Sequence, residues 1–259
     1  MASGNADNKI YIWNTTADSL IRALAGHSGN VNSLAVLSNG YLASGSDDST
    51  IKIWNTADGS EIRTITGHTN SVNALVVLPN GFLASGSSDN AVNIWNTTDG
   101  SLRRSLTGQT LKVMSLAVLP SGNLASGSKD NSINLCNTDD GSLINSLAGQ
   151  ADMNALAVLK NGYLASGDSD GVIFIWDVNN ASLNLTIPGD TANDVDSLAV
   201  LNNGYLAAGF QSGEIKIWDA DNGLIATLIG HTNKVNSLAV LQNGFLASGS
   251  DDSTIKIWN

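Results

Sequence analysis

Three histidines, His27, His68 and His231, each follow a glycine, and serines and aspartates recur close behind them. A histidine with a serine and an aspartate in reach is the residue set of nucleophilic acyl transfer. The imidazole takes the hydroxyl proton and the carboxylate orients the ring. Such chemistry also needs a distinctive arrangement of donors for the developing oxyanion. Here the same residue types return three times by repetition, and nothing marks an oxyanion hole. No catalytic residue is assigned, and the chain is expected not to be an enzyme.

Other candidate chemistry is thinner. Cys136 is the single cysteine, so no intrachain disulfide or cysteine metal cluster can form. It has no histidine in its own repeat to activate a thiolate. Asp168-Ser169-Asp170-Gly171 is faintly similar to a calcium loop but lacks the distal glutamate and further ligands. The glycine-rich LASGS segments are followed by neither a helix start nor a lysine, so they are not phosphate cradles. Arg103-Arg104 reads as a solvated basic pair. No metal and no cofactor is expected.

Composition narrows the partners. Among 259 residues, 12 Lys and Arg stand against 23 Asp and Glu, a formal charge of −11. That balance repels phosphate backbones and anionic membranes, so neither nucleic acid nor membrane is an expected partner. With 42% hydrophobic residues the chain can bury a core. No apolar run is long enough to span a bilayer. The start, MASGNADNKIYIWN, has neither a charged n-region nor an apolar h-region, so no signal peptide is expected. One cysteine and no signal peptide point to a reducing, cytoplasmic setting.

The elements that would hold these residues are repeated. Trp13, Trp54, Trp95, Trp176, Trp218 and Trp258 form a ladder, with Cys136 in the missing rung, at spacings of 40 to 42 residues. Each period holds four strand-like runs. The first is apolar on both faces, as in Val31–Leu37, which implies burial on both sides. A turn such as SNGY or PNGF follows, where Asn-Gly favours a tight hairpin. The second run is LASGS, the third alternates as in IKIW, and a turn like NTADGS leads to a fourth such as EIRTI. No stretch has helical periodicity. Four short antiparallel strands per period of about 41 residues is the signature of propeller blades.

The Gly-His pairs Gly26-His27, Gly67-His68 and Gly230-His231, with Trp-Asn or Trp-Asp closing each period, resemble the WD-repeat family across essentially the whole chain. The resemblance implies one all-β β-propeller domain over residues 1–259. It also implies a structural network joining histidine, serine, aspartate and tryptophan. By position the sets are His27, Ser44, Asp48 and Trp54; His68, Ser85, Asp89 and Trp95; and His231, Ser248, Asp252 and Trp258. The middle repeats depart from it: Gln109, Gln150 and Asp190 replace histidine, Cys136 tryptophan, Ala208 serine and Ser212 aspartate. The chain opens in mid-repeat, as a piece of a longer protein would. Seven blades are expected, the first lacking its inner strand and the last its outer one. In the alternative, six blades close when residues 20–24 complete the last.

Members of the resembled family usually serve as protein-interaction scaffolds. Turns between the first and second strands barely vary, whereas loops after the Gly-His column and turns after LASGS differ in length and charge from repeat to repeat. Binding specificity is usually written in such loops. The expected partner-binding residues are Asp47, Lys112, Lys129, Asp194, Gln211, Lys234 and Asp251, and the expected partner is a protein or peptide. A repeat-wise small-ligand or carbohydrate binder, similar to a lectin, is the alternative. Exposed strand edges at the junction of the ends would permit association with another chain.

Overall fold

Ser38, Asn39 and Gly40 show why the chain folds back every period. Gly40 has φ +85°, its N–H donates to Leu37 O at 2.9 Å, and Leu37 N–H donates to Tyr41 O at 2.8 Å. Only the glycine is left-handed. This is a three-residue connection, in which the asparagine carbonyl accepts from Tyr41 N–H at 3.1 Å. Gly81, Gly122, Gly162, Gly204 and Gly244 repeat the positive φ.

A computed structural model describes residues 1–17, 19–189, 193–219 and 223–259. The described residues form 26 strands in seven antiparallel sheets, and none of them is helical. Each sheet is a propeller blade. Residues cluster into two units, Met1–Ser126 with Cys136–Ile144, and Gly127–Leu135 with Asn145–Asn259; the division falls within the fourth sheet.

In the first unit, blade 1 has three strands, Ala2–Gly4, Lys9–Asn14 and Ser19–Ala25. Blade 2 runs Val31–Val36, Leu42–Ser46, Ile51–Trp54 and Glu61–Ile65; blade 3 runs Val72–Val77, Leu83–Ser87, Val92–Trp95 and Leu102–Leu106. Lys9 pairs with Ala25 and Ile12 with Arg22. The second strand pair of the chain is therefore the local hairpin of an incomplete first blade, as the seven-blade reading expects. Blade 4 comprises Val113–Val118, Leu124–Ser128, Ser132–Cys136 and Leu143–Ala148.

In the second unit, blade 5 comprises Met153–Val158, Leu164–Asp168, Ile173–Asp177 and Ser182–Ile187. Blade 6 comprises Val195–Val200, Leu206–Phe210, Ile215–Asp219 and Gly223–Leu228. Blade 7 has Val235–Val240, Leu246–Ser250 and Ile255–Trp258, without an outer strand.

The LASGS glycines make the blades stack. A Cβ on Gly45 would sit 2.6 Å from Val72 Cγ1, and one on Gly86 2.6 Å from Val113 Cγ1. Gly209 meets Val235 in the same way in the second unit. In these pairs the inner strand rests directly on the second strand of the preceding blade, and the apolar faces close between them. One such layer in the first unit gathers Leu37, Ile51, Ile53, Val72, Leu83 and Trp95, all buried, with Tyr41 packed against it. Burial of side chains this size contributes roughly 1.5–3 kcal/mol each.

Candidate functional site

The triad-like sets assemble, with their serine hydroxyls buried. In blade 2, His27 Nδ1 lies 2.8 Å from Asp48 Oδ2 and Nε2 lies 2.7 Å from Ser44 Oγ. Trp54 Nε1–H donates to the same Ser44 Oγ at 2.8 Å. The imidazole therefore donates to the aspartate and accepts from the serine, which in turn accepts from the indole. Blade 3 repeats this with His68, Asp89, Ser85 and Trp95, and blade 7 with His231, Asp252, Ser248 and Trp258. Ser44 and Ser85 are 0% exposed and Ser248 is 1%. A hydroxyl sealed beneath an indole cannot meet a substrate carbonyl.

The aspartate is a hub. Asp48 also accepts from Ser28 N–H at 2.9 Å and from the Thr50 hydroxyl at 2.6 Å. Burial acts to raise its pKa, but the hydrogen bonds from Thr50, Ser28 and His27 outweigh it and hold the carboxyl at about 2. Burial lowers the His27 pKa, against the pull of Asp48, so the ring stays neutral.

Blades without histidine solve the same problem differently. Gln109 donates through Nε2 to Ser126 O at 2.8 Å and to its Oγ at 3.0 Å, in the blade where Cys136 removes the indole. Burial pushes the Cys136 thiol up, away from a reactive thiolate. In blade 6, Phe210 replaces the last serine of LASGS, and its ring lies 6.1 Å from that of Trp218, like His27 from Trp54. Asn193 and Ser212 there bond one another, Nδ2 to Oγ at 3.0 Å and Ser212 N–H to Oδ1 at 2.7 Å. Asp190 lies outside the described residues.

At the opposite end of each blade from the Asn-Gly turns, two loops meet. Asp47 N–H donates to Asn30 O at 2.9 Å, Ser88 to Ser71 at 2.9 Å, Gln211 to Asp194 at 3.1 Å and Asp251 to Lys234 at 3.0 Å. The backbone bond recurs in these blades while both side chains change. Lys112 and Gln211 are exposed there. Lys129 is held 2.8 Å from Asp152, and Lys234 2.7 Å from Asp196. Asn32 Nδ2 donates to Asp47 at 2.7 Å, and Asn236 donates to Asp251.

Two columns escaped the sequence reading. Asn32, Asn73, Asn154, Asp196 and Asn236 occupy a β-bulge in the inner strand of their blades. The bulge re-aims the side chain: Asn32 and Asn73 also donate to Val72 O and Val113 O of the following blade, at 3.2 and 2.8 Å. Arg22, Arg63 and Arg104 fork onto the turn between the third and outer strands of the next blade. Arg104 donates to Asp140 O at 2.7 Å and Asp139 O at 2.8 Å. Arg103 lies over the Phe82 ring at 4.4 Å, so the basic pair read as solvated is engaged on both residues. The signal available was the exact 41-residue spacing of the three arginines.

Family comparison decides what these repeats are. The WD domain, G-beta repeat family matches residues 18–55, 59–96, 100–137, 141–177 and 222–259, well over half of the chain. The chain is a WD-repeat protein. The unmatched stretch 178–221 contains blade 6 strands that are regular despite Ala208, Phe210 and Ser212 in the network columns. None of the curated proteins compared with the chain matches it. Like WD-repeat propellers in general, the protein has the architecture of an interaction scaffold. Among the described residues no helix is long and apolar enough to cross a membrane, and no group of histidine, cysteine, aspartate and glutamate is placed to hold a metal ion.

Proposed function

We propose that this WD-repeat protein is a non-catalytic, cytoplasmic scaffold that binds a protein or peptide through the variable-loop ends of its blades. The supporting observation is the recurring backbone bond that joins Asp47 to Asn30, Gln211 to Asp194 and Asp251 to Lys234. It lets the exposed side chains vary with little effect on the fold, so a charge mosaic can match one partner and reject another by unpaired charge. Asp47, Lys112, Lys129, Asp194, Gln211, Lys234 and Asp251 are the proposed partner-binding residues. Of these, Asp47, Lys112, Gln211 and Asp251 are exposed, whereas Lys129 and Lys234 already neutralise carboxylates within the chain.

Site-specific photo-crosslinking tests the assignment. A crosslinker at Lys112 or Gln211 should capture one protein partner. The same group at Ser38 or Gln242, in the Asn-Gly turns, should not. Capture from the Asn-Gly turns alone would place the interface at the wrong end. A Lys112→Glu variant should weaken that capture with its melting temperature unchanged.

A further inference from the structure

Asn123 breaks a rule that the other blades keep. Its column holds Tyr41, Phe82, Tyr163, Tyr205 and Phe245, aromatic in every other case. In blade 4 the short amide instead lines an open cleft of about 300 Å³ at the Asn-Gly turn end, beside Pro79 and Asn80 of blade 3 and Ser121, Asn137 and Asp139 of blade 4.

The polar groups around this cleft are set up unevenly. Asn137 Oδ1 accepts from Asp139 N–H at 2.8 Å and Asp140 N–H at 3.4 Å, which turns its Nδ2 to other use. In blades 2 and 3 the equivalent Nδ2 is spent within the turn, Asn55 on Asp58 at 3.1 Å and Asn96 on Asp99 at 3.2 Å. As Asp58 and Asp99 do with Ser60 and Ser101, Asp140 takes the hydroxyl of the next serine but one, Ser142, at 2.6 Å. Asn80 Oδ1 likewise accepts from Phe82 N–H at 3.2 Å, which orients its amide as a donor, and Ser121 Oγ accepts from Asn123 N–H at 3.3 Å. The amides of Asn80 and Asn137 thus offer donors, the Asn123 amide lines the same cleft, and the exposed Asp139 carboxylate offers acceptors.

We infer that this cleft binds one ring of a neutral polyhydroxylated ligand, a saccharide unit. Each hydroxyl of such a ring is both donor and acceptor, so vicinal pairs can accept from an asparagine amide and donate to Asp139. The volume is at the small end for ligand sites, which fits a single ring and not an extended molecule. Asp139 and the net charge of −11 disfavour an anion. An apolar ligand would strip water from three amides without replacing their hydrogen bonds. The Pro79 ring supplies an apolar edge for the C–H face of the sugar. The site is single, because the aromatic column is broken only in blade 4. It lies at the opposite end of the blades from the proposed protein-binding loops and stands independently of that reading.

The test is a titration of the isotope-labelled full chain with the methyl pyranosides of glucose, galactose and mannose, reading the side-chain amide signals of Asn80, Asn123 and Asn137 by NMR. At least one pyranoside should move all three saturably, with Kd in the millimolar range. Asn123→Tyr, which restores the residue type of the other blades, should abolish the response while the rest of the spectrum is kept. Asp139→Asn should weaken it about fivefold or more, and carries the test if Asn123→Tyr does not fold. No saturable shift with any pyranoside up to about 100 mM overturns the inference. So does an undiminished response in a folded Asn123→Tyr, or an unchanged Kd in Asp139→Asn.

Discussion

The ammonium of Lys234 lies 2.7 Å from Oδ1 of Asp196, a carboxylate whose other oxygen is buried without a hydrogen bond. Asp196 occupies the bulge position where Asn32 and Asn73 donate to the next blade. Exchanging asparagine for aspartate turned a donor into an acceptor, and the lysine from the following loop compensates one oxygen only. Burial, the largest influence, raises the Asp196 pKa despite Lys234.

Asp196→Asn is therefore expected to stabilise the protein near pH 7 by about 1 kcal/mol. Lys234→Ala should destabilise it by about 1–3 kcal/mol, because it leaves the carboxylate alone. In the Asp196→Asn background the lysine should matter little. Urea unfolding of the double-mutant cycle measures the coupling; additive effects would mean the pair is not an interacting one.

Asp168 presents the same conflict more sharply. Ser46, Ser87 and Ser250 in its column each donate a hydroxyl to a loop carbonyl, at 2.9, 3.1 and 2.9 Å. Asp168 is 0% exposed, and its Oδ2 has no partner. Burial raises its pKa, more strongly than the Val172 and Asp170 backbone bonds lower it. A raised acid binds its proton more tightly when folded, so its contribution is present below 3.8 and lost as pH rises through the folded value. Asp168→Ser should raise the melting temperature near pH 7, with the gain shrinking as pH falls toward 4. A gain that grows on acidification would contradict this.

The number of blades and the missing strands at either end were legible from the tryptophan ladder, because every blade repeats one pattern of burial. The four-residue network was legible through the resemblance to the WD-repeat family, which implies its members blade by blade. What was not legible lies between blades. Aligning repeats stacks Lys234 under Lys112, but its partner Asp196 stands in another column of the preceding repeat. The arginine fork reaches 35 and 36 residues onward for the same reason. Periodicity identifies equivalent residues, and contacts between neighbours must come from geometry.

That fork makes Arg104 a test of blade-to-blade stability. Two parallel donors at 2.7 and 2.8 Å fit the planar guanidinium, which a lysine ammonium cannot reproduce. Arg104→Lys and Arg104→Ala should both lower stability, by about 1–3 kcal/mol. Arg103→Ala, which loses one ring contact, should cost about 0.5–1 kcal/mol. Equal effects at the two positions in urea unfolding would remove the fork from the account.

Acid unfolding should report the histidine networks in two steps with a common sign. The His27 pKa is depressed, chiefly by burial, so its neutral form belongs to the folded state; stability declines as pH falls below its ordinary 6.5. Asp48, at about 2 when folded against 3.8 otherwise, contributes stability above 3.8 that is lost as pH falls toward 2. His27→Gln should remove the first step, because Gln109 shows that an amide can hold the blade's serine without titrating. Asp89→Ala, which leaves His68 Nδ1 and Thr69 N–H without their acceptor, should cost about 1–3 kcal/mol near pH 7. Thermal melts from pH 7 to pH 3 separate the two contributions. An unchanged slope between pH 7 and pH 5 in His27→Gln would show that the imidazole is not the titrating group.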